Sequence, residues 1–354
     1  MLRPEPPRSD RRRALLGLIG AGGVAACQPR VQGPGVLPES FRGPRLELDS
    51  LVASDGARLP MTVWDARDGG GRATPPWAVI VGLHGMNDYS AAFGLAGPYW
   101  ATQGVTTYAY DQRGFGRAAH RGVWGGEALM DADLRTAAAL VRARHPGAIV
   151  AVVGESMGGA VGISAFASDA PPVADRLVLA SPAVWGWREQ GLPNSAALWV
   201  SAHVAPGSRL TAPNWLARRI RASDNISELR RMGLDRNMIF ATRIDTIYGL
   251  VELMQHAQDE VGETHVPTFY QYGAHDDIIP KHAAFRAARR LKPGDRSAYY
   301  ATGYHLLLRD LHRQVVLDDV LAFVRDPTGP LPSGAPPIPR RKTRDARMSA
   351  PVSG

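Results

Sequence analysis

The 354-residue chain carries 45% apolar and 21% charged side chains, a balance that fits a packed globular protein and excludes a disordered or collagen-like one. Its net charge of +8 sits at the two ends: residues 1–27 contribute +3 and residues 327–354 contribute +4, leaving about +1 between them. A nucleic-acid enzyme needs its cations gathered on the folded body, so this distribution argues against that class.

A single cysteine, Cys27, rules out an intramolecular disulfide and a cysteine-based zinc cluster. It follows Arg11-Arg12-Arg13 and an uncharged Leu-, Ala- and Gly-rich stretch from Ala14 to Ala26, the layout of an export signal. A helix over that stretch rises about 20 Å, short of the roughly 30 Å hydrocarbon core, which predicts a cleaved signal and not a permanent span. Val24-Ala25-Ala26-Cys27 resembles a bacterial lipobox, and Arg12-Arg13-Ala14-Leu15-Leu16 resembles a twin-arginine signal with its usual Ser or Thr displaced. The expectation is a lipoprotein acylated on Cys27 and held on the periplasmic side of the bacterial envelope. By the same resemblance, Gln28 in place of the Asp associated with inner-membrane retention points toward the outer membrane, with the inner membrane left open. A plain secretory signal with an incidental cysteine is the alternative.

Residues 28–43, rich in Gly and Pro without periodicity, read as a linker, and residues 326–354, with seven Pro and the run Arg340-Arg341-Lys342, as a disordered tail. Between them, residues 44–325 alternate short apolar runs with longer helical patterns, the signature of a mostly parallel sheet covered by helices on both faces. Eight runs are predicted as strands: 46-LELDSLV, 59-LPMTVWD, 77-WAVIVGLHG, 105-VTTYAYD, 148-AIVAVVG, 176-RLVLASP, 267-PTFYQYG and 297-SAYYATG. The first two lack an intervening helix and are expected to pair as a hairpin around Asp55-Gly56. Glu127 to Arg144 is predicted helical, with Leu129, Leu134, Ala137, Leu140 and Val141 on one face. The alternation stops at about residues 183–265, a stretch that holds Trp185, Trp187, Trp199 and Trp215. It is read as a helical cap inserted after strand 6, over the sheet edge where open α/β sheets hold ligands.

The chemistry concentrates at four strand ends. Gly154-Glu155-Ser156-Met157-Gly158 lies between a β-branched run and a small-residue helix, the setting a serine nucleophile needs. The turn carrying it is tight, and glycines two residues to either side let the backbone pass closely. His84-Gly85-Met86-Asn87-Asp88 follows the third run. The backbone N–H groups of Met86 and Met157 are therefore the expected oxyanion donors, with the His84 side chain bracing the loop. Gly273 to Pro280 and Gly303-Tyr304-His305 follow the last two runs and supply an acid and a base in the order Ser, Asp, His. Asp276 is preferred over Asp277, and His305 over His275 and His282, because only His305 lies in the loop before the final helix.

Taken with Asp111-Gln112-Arg113-Gly114-Phe115-Gly116, these pieces resemble the monoacylglycerol lipase and lysophospholipase branch of the α/β-hydrolase superfamily, whose domain is also called serine aminopeptidase-like. The resemblance spans residues 44–325. It implies an α/β-hydrolase fold, Ser156 as nucleophile, Asp276 as orienting acid, His305 as base, Met86 and Met157 as oxyanion donors, and no metal or organic cofactor. Phe115 departs from the more usual His of that pattern, and Asp111-Gln112-Arg113-Gly114 is also similar to proline iminopeptidases. Those enzymes need cap carboxylates for a free amino group, for which Glu189, Glu228 and Glu252 are the candidates.

The expected function is therefore a membrane-tethered serine esterase acting on a monoacylglycerol, lysophospholipid or similar single-chain lipid, with no nucleic acid and no obligate protein partner. An aminopeptidase or acyltransferase on the same fold, and a non-catalytic envelope scaffold, are the other readings. Arg209 to Arg243 holds eight Arg against Asp224, Glu228 and Asp235. That run is either a solvated helix face or a surface for anionic headgroups.

Overall fold

The computed structural model of the chain describes residues 28–339, apart from 212, 214 and 216–218. The export signal with Cys27 and the run Arg340-Arg341-Lys342 fall outside those residues.

Nine strands form the central sheet: β1 (Arg45–Leu46), β2 (Ser50–Val52), β3 (Arg58–Trp64), β4 (Ala78–Leu83), β5 (Val105–Tyr110), β6 (Ile149–Glu155), β7 (Arg176–Ala180), then β10 (Thr268–Gly273) and β11 (Arg296–Tyr300) after an insertion that holds β8 (Arg209–Leu210) and β9 (Thr242–Arg243). Their order is β1-β2-β3-β5-β4-β6-β7-β10-β11. Every pair from β5 through β11 is parallel, while β3 runs antiparallel to β5. The expected hairpin at Asp55-Gly56 forms between β2 and β3. The run before it breaks in two, because residues 47–49 turn the chain so that β1 folds back on β2, and this gives nine strands where eight were expected.

The central strands are buried on both faces, which is why they read as continuous apolar runs. On β4, Val79, Val81 and Leu83 enter one hydrophobic cluster while Ala78 and Ile80 enter the other, the two-residue period of a strand. The first cluster also takes side chains from α2 (Glu127–Arg144), α3 (Met157–Ala167) and α7 (Lys281–Ala288). The second takes them from α1 (Ala96–Thr102) and α8 (Arg313–Arg325). The helix predicted at Glu127–Arg144 has those bounds, and Leu134, Ala137 and Val141 of its predicted face are buried.

The insertion after β7 holds α4 (Leu192–Val204), α5 (Ile226–Leu234), the β8–β9 ribbon and α6 (Ile244–Glu260). Before α6 the insertion touches the core through Ala183, Val184 and a few partly buried side chains such as Leu198 and Ile239. On α6 itself, Val251, Leu253, Met254 and Ala257 join the larger core cluster, and a buried Val, Leu or Met side chain contributes roughly 1.5–3 kcal/mol. Trp185 and Trp187 pack against that cluster, whereas Trp199 and Trp215 are exposed.

Both flanking segments read as unstructured from composition are docked where the structure describes them. The Arg30 N–H donates to Asp245 Oδ2 (3.2 Å), Val31 bridges Trp124, and the Gln32 N–H donates to Trp124 O (2.9 Å). At the other end, Pro336 O accepts from the Tyr299 N–H (2.8 Å), the Ile338 N–H donates to Ser297 Oγ (3.1 Å), and the Ile338 side chain is buried. At the C-terminal end the reason is that β11 is an edge strand, and a proline-rich segment that cannot donate regularly can still accept from its unpaired N–H groups; the N-terminal segment instead donates to acceptors left open at Trp124 and Asp245.

Candidate active site

Ser156 joins β6 to α3 at φ 53° and ψ −116°, left-handed backbone that costs a non-glycine residue of order 1–3 kcal/mol. Its neighbours hold it there: the Ser156 N–H donates to Ala180 O (3.0 Å), and its carbonyl accepts from the N–H groups of Gly159 (2.9 Å) and Ala183 (3.0 Å). A Cβ on Gly154 would lie 2.4 Å from Gly158 O, and one on Gly158 would lie 2.2 Å from Leu83 O. The glycine spacing is thus set by how closely β6, α3 and the end of β4 pass one another.

The loop after β4 lies against the elbow, with Gly85 next to the Ser156 side chain. Among the described residues neither the Met86 nor the Met157 N–H is spent on another hydrogen bond, and Met157 opens α3, where the helix leaves its first donors free. His84 braces this loop. Its Nε2 accepts from the Gln112 N–H (2.9 Å), which leaves Nδ1 to donate to Gly85 O (2.8 Å), and burial lowers its pKa so that the ring stays neutral. Phe115 packs edge-on against the His84 ring at 5.8 Å and against Trp124 behind it, so this departure from the family pattern falls in the wall behind the loop. Asp111 accepts from the Ser90 N–H (3.0 Å) and from Arg117, and Arg113 binds Asp133 and Asp55. These residues are fastenings of the two loops.

Asp276 and His305 meet in the loops after β10 and β11. His305 Nδ1 and Asp276 Oδ2 are 2.9 Å apart, and the other carboxylate oxygen accepts from the N–H groups of Ile278 (2.8 Å) and Ile279 (2.9 Å). Burial opposes protonation of His305, but the adjacent Asp276 carboxylate outweighs it and raises the pKa above the ordinary histidine value. Asp277 is exposed and accepts the Arg221 N–H instead. His275 is exposed and stacks on Tyr304, and His282 faces Glu189, so neither reaches the Asp276–His305 pair. Among the described residues the Ser156 hydroxyl has no hydrogen-bond partner, so His305 is bonded to Asp276 but not to Ser156.

The sequence reading missed Arg309. This fully buried guanidinium, four residues after His305, reaches Asp88 Oδ2 (2.5 Å) and Glu155 Oε2 (2.6 Å), with Glu228 Oε1 of α5 at 3.9 Å. Burial raises the Glu155 pKa while the Arg309 charge works against that rise. Half of a signal was present: Glu155 is a charged residue inside the tight elbow motif, whereas Arg309 lies outside every motif.

The cap carboxylates are engaged. Glu189 is bound by Arg286 (2.7 Å) and His282 (3.2 Å), and Glu228 is bound by Arg231 (2.7 Å). Glu252 lines a cleft of about 420 Å³ with Val31, Trp124, His203 and Tyr248, a cleft to which none of Ser156, Asp276 and His305 contributes.

A family profile described as serine aminopeptidase, S33, matches residues 74–312. The monoacylglycerol lipase of Mycolicibacterium smegmatis is 24% identical over 292 residues, covering 78% of this chain and 95% of that protein. Among solved structures, a soluble variant of monoglyceride lipase from Saccharomyces cerevisiae, in complex with a substrate analog, superposes with a TM-score of 0.65 at 16% identity, covering 82% of this chain and 98% of its own. A thermostable carboxyl esterase from Bacillus coagulans gives 0.63 at 16% identity, covering 80% and 99%.

Proposed function

This chain belongs to the serine aminopeptidase S33 family of α/β hydrolases, and on that premise we propose that it hydrolyses the carboxylic ester of a single-chain lipid, a monoacylglycerol or lysophospholipid, through an acyl-enzyme on Ser156. The observations that carry the reading are the elbow serine, strained and without a side-chain partner among the described residues, the two unspent N–H donors beside it, and a buried Asp276–His305 pair in the loops after β10 and β11. In this mechanism the Ser156 hydroxyl attacks the acyl carbonyl as His305 Nε2 takes its proton, and Asp276 holds the ring in the tautomer with Nδ1 protonated. The N–H groups of Met86 and Met157 receive the oxyanion. His305 then protonates the leaving alcohol, the acyl group stays on Ser156, and a water deprotonated by His305 releases the fatty acid. An acyltransferase would differ only in the acceptor of that last step.

The lipid substrate class is supported by the cap. Helix α4 carries no Asp, Glu, Lys or Arg, and only Ala202 of it is buried. It exposes Pro193, Ala196, Ala197, Val200 and Val204 on one stripe, an inverted pattern for a helix facing water alone. Arg209, Arg219, Arg221, Arg230 and Arg236 are exposed nearby in sequence and, among the described residues, their guanidinium groups pair with no carboxylate, which suits anionic headgroups. The aminopeptidase reading is disfavoured because Glu189 and Glu228, which would have to hold a free amino group, are already neutralised by arginines. Hydrolysis of p-nitrophenyl esters, monoacylglycerols, lysophospholipids and prolyl amides by wild type and Ser156→Ala tests the choice. Serine-dependent cleavage of one ester group is expected; serine-dependent amide cleavage would replace this reading with the peptidase.

We also propose acylation at Cys27 and residence at the periplasmic face of the envelope. Residues 29–31, just after it, dock beside His203 and Tyr248 at the base of the cap, so a tether there would hold the cap toward the lipid. Radiolabelled palmitate is expected on wild type and absent from Cys27→Ser. An unlabelled wild type, or label that survives the substitution, overturns the anchor.

A further inference from the structure

The two residues that share Arg309 are placed unusually with respect to the oxyanion donors. Asp88 lies two residues after Met86 in one loop, and Glu155 lies two residues before Met157 in the other. Both carboxylates contact the same nitrogen, Arg309 Nη2, at 2.5 and 2.6 Å. That nitrogen is therefore a fixed spacer between the loop after β4 and the elbow. Its own backbone belongs to the histidine loop, where Arg309 O accepts from Asn225 Nδ2 (2.9 Å), the N-cap of α5, and the Leu306 N–H donates to Ala222 O (2.8 Å). The other terminal nitrogen, Nη1, faces Met232 Sδ (3.4 Å) and Glu228 Oε1 (3.9 Å) on α5. One side chain thus joins the nucleophile elbow, the oxyanion loop, the histidine loop and the cap.

We propose that Arg309 is a positioning residue for the reaction, setting the separation of the Met86 and Met157 N–H donors through Asp88 and Glu155, and that α5 acts on the active site through it. The inference rests on the reading of Ser156 and its donors given above. A purely structural role fits the arrangement poorly. Arg309 Nε and Glu155 Oε1 are buried without a hydrogen-bond partner. Half-satisfied buried ionic clusters of this kind are commonly no more stable than apolar residues of the same volume. Oxyanion stabilisation, by contrast, depends steeply on donor placement, and a misplacement of about 1 Å costs about 100-fold in rate.

The groups facing His305 fix the sign of a second readout. Asp276 and Glu155 favour its protonation, and Arg309 opposes it. Glu155→Gln removes one anion and leaves the guanidinium, so the acid limb of kcat/KM shifts to lower pH.

The test uses the full chain and four variants: Arg309→Lys, Glu155→Gln, Asp88→Asn and the paired Arg309→Met with Glu155→Gln, which removes the buried cation and one of its anions together. The measurements are thermal midpoint, kcat and KM on a p-nitrophenyl ester, affinity for a trifluoromethyl ketone that mimics the tetrahedral adduct, and the rate of fluorophosphonate labelling of Ser156. The inference expects kcat to fall about 10- to 100-fold, with KM nearly unchanged and ketone affinity falling in proportion, in variants that remain folded. Lysine, which keeps the charge but is too short to reach both carboxylates, is expected to restore part of what Met loses. Folded variants with wild-type kcat and ketone affinity would overturn the inference while leaving the Ser156 reading intact. Absence of Ser156 labelling in wild type would overturn both.

Discussion

On the proposed mechanism Asp276→Asn is expected to lower kcat by about 10³- to 10⁴-fold, whereas Asp277→Asn is expected to stay close to wild type. The two residues are adjacent in sequence and differ only in where the loop after β10 points them. Asp276 Oδ2 faces His305 Nδ1 at 2.9 Å, and its other oxygen is locked by two backbone N–H groups, so the carboxylate cannot rotate away. Asp277 is exposed and holds only the Arg221 N–H. The asparagine variant presents either an oxygen, without the charge that stabilises an imidazolium, or an NH₂ that favours the wrong tautomer.

A pH profile separates this from simple loss of fold. As the proposed general base, His305 would act only when neutral, and its pKa is raised above the ordinary value because the nearby carboxylate outweighs burial. Wild-type kcat/KM should therefore rise with pH through a limb lying above the roughly 6.5 of an unperturbed histidine. Removing the Asp276 charge moves that limb to lower pH. An unmoved limb would mean that some other group sets it.

The second large effect is on the fold. Gly158→Ala is expected to destabilise the protein by about 3 kcal/mol, the upper end of overpacking costs, or to prevent soluble expression. Its added Cβ would meet Leu83 O at 2.2 Å and Leu83 C at 2.5 Å, backbone atoms of the central strand β4 that cannot swing aside. Gly154→Ala meets Gly158 O at 2.4 Å and should behave alike. Gly233→Ala in α5 is the control. Nothing lies within 4 Å of its added Cβ, and alanine in an exposed helix is favoured over glycine by up to about 1 kcal/mol. Urea midpoints of the three variants give the comparison. Equal midpoints for Gly158→Ala and Gly233→Ala would show that the elbow is looser than described.

The parallel sheet was legible because its central strands are buried on both faces and so print continuous apolar runs, with α2 marked by an apolar face of helical period. The elbow was legible because close passage of β6, α3 and β4 admits only glycine at 154 and 158. What was hidden was held by long-range contacts without a local pattern. The β1–β2 fold-back depends on a turn inside an apolar run. Residues 30–35 and 333–338 look unstructured by composition, yet their backbone groups find partners on Trp124, Asp55 and the β11 edge. Helix α6 reads as part of the cap because it follows the insertion, although its apolar face belongs to the core. The Arg309 cluster draws on the loop after β4, the end of β6, the loop after β11 and α5, and no spacing in sequence announces it.

The central claim is that Ser156 becomes acylated. The most direct measurement is peptide mass spectrometry of the full chain after brief reaction with a fluorophosphonate, alongside monoacylglycerol hydrolysis by the same preparation and by Ser156→Ala. The account predicts one adduct, on the peptide carrying Ser156, formed in proportion to the loss of hydrolysis, and no turnover by the alanine variant. An adduct on another serine, or ester hydrolysis that survives Ser156→Ala, would contradict it.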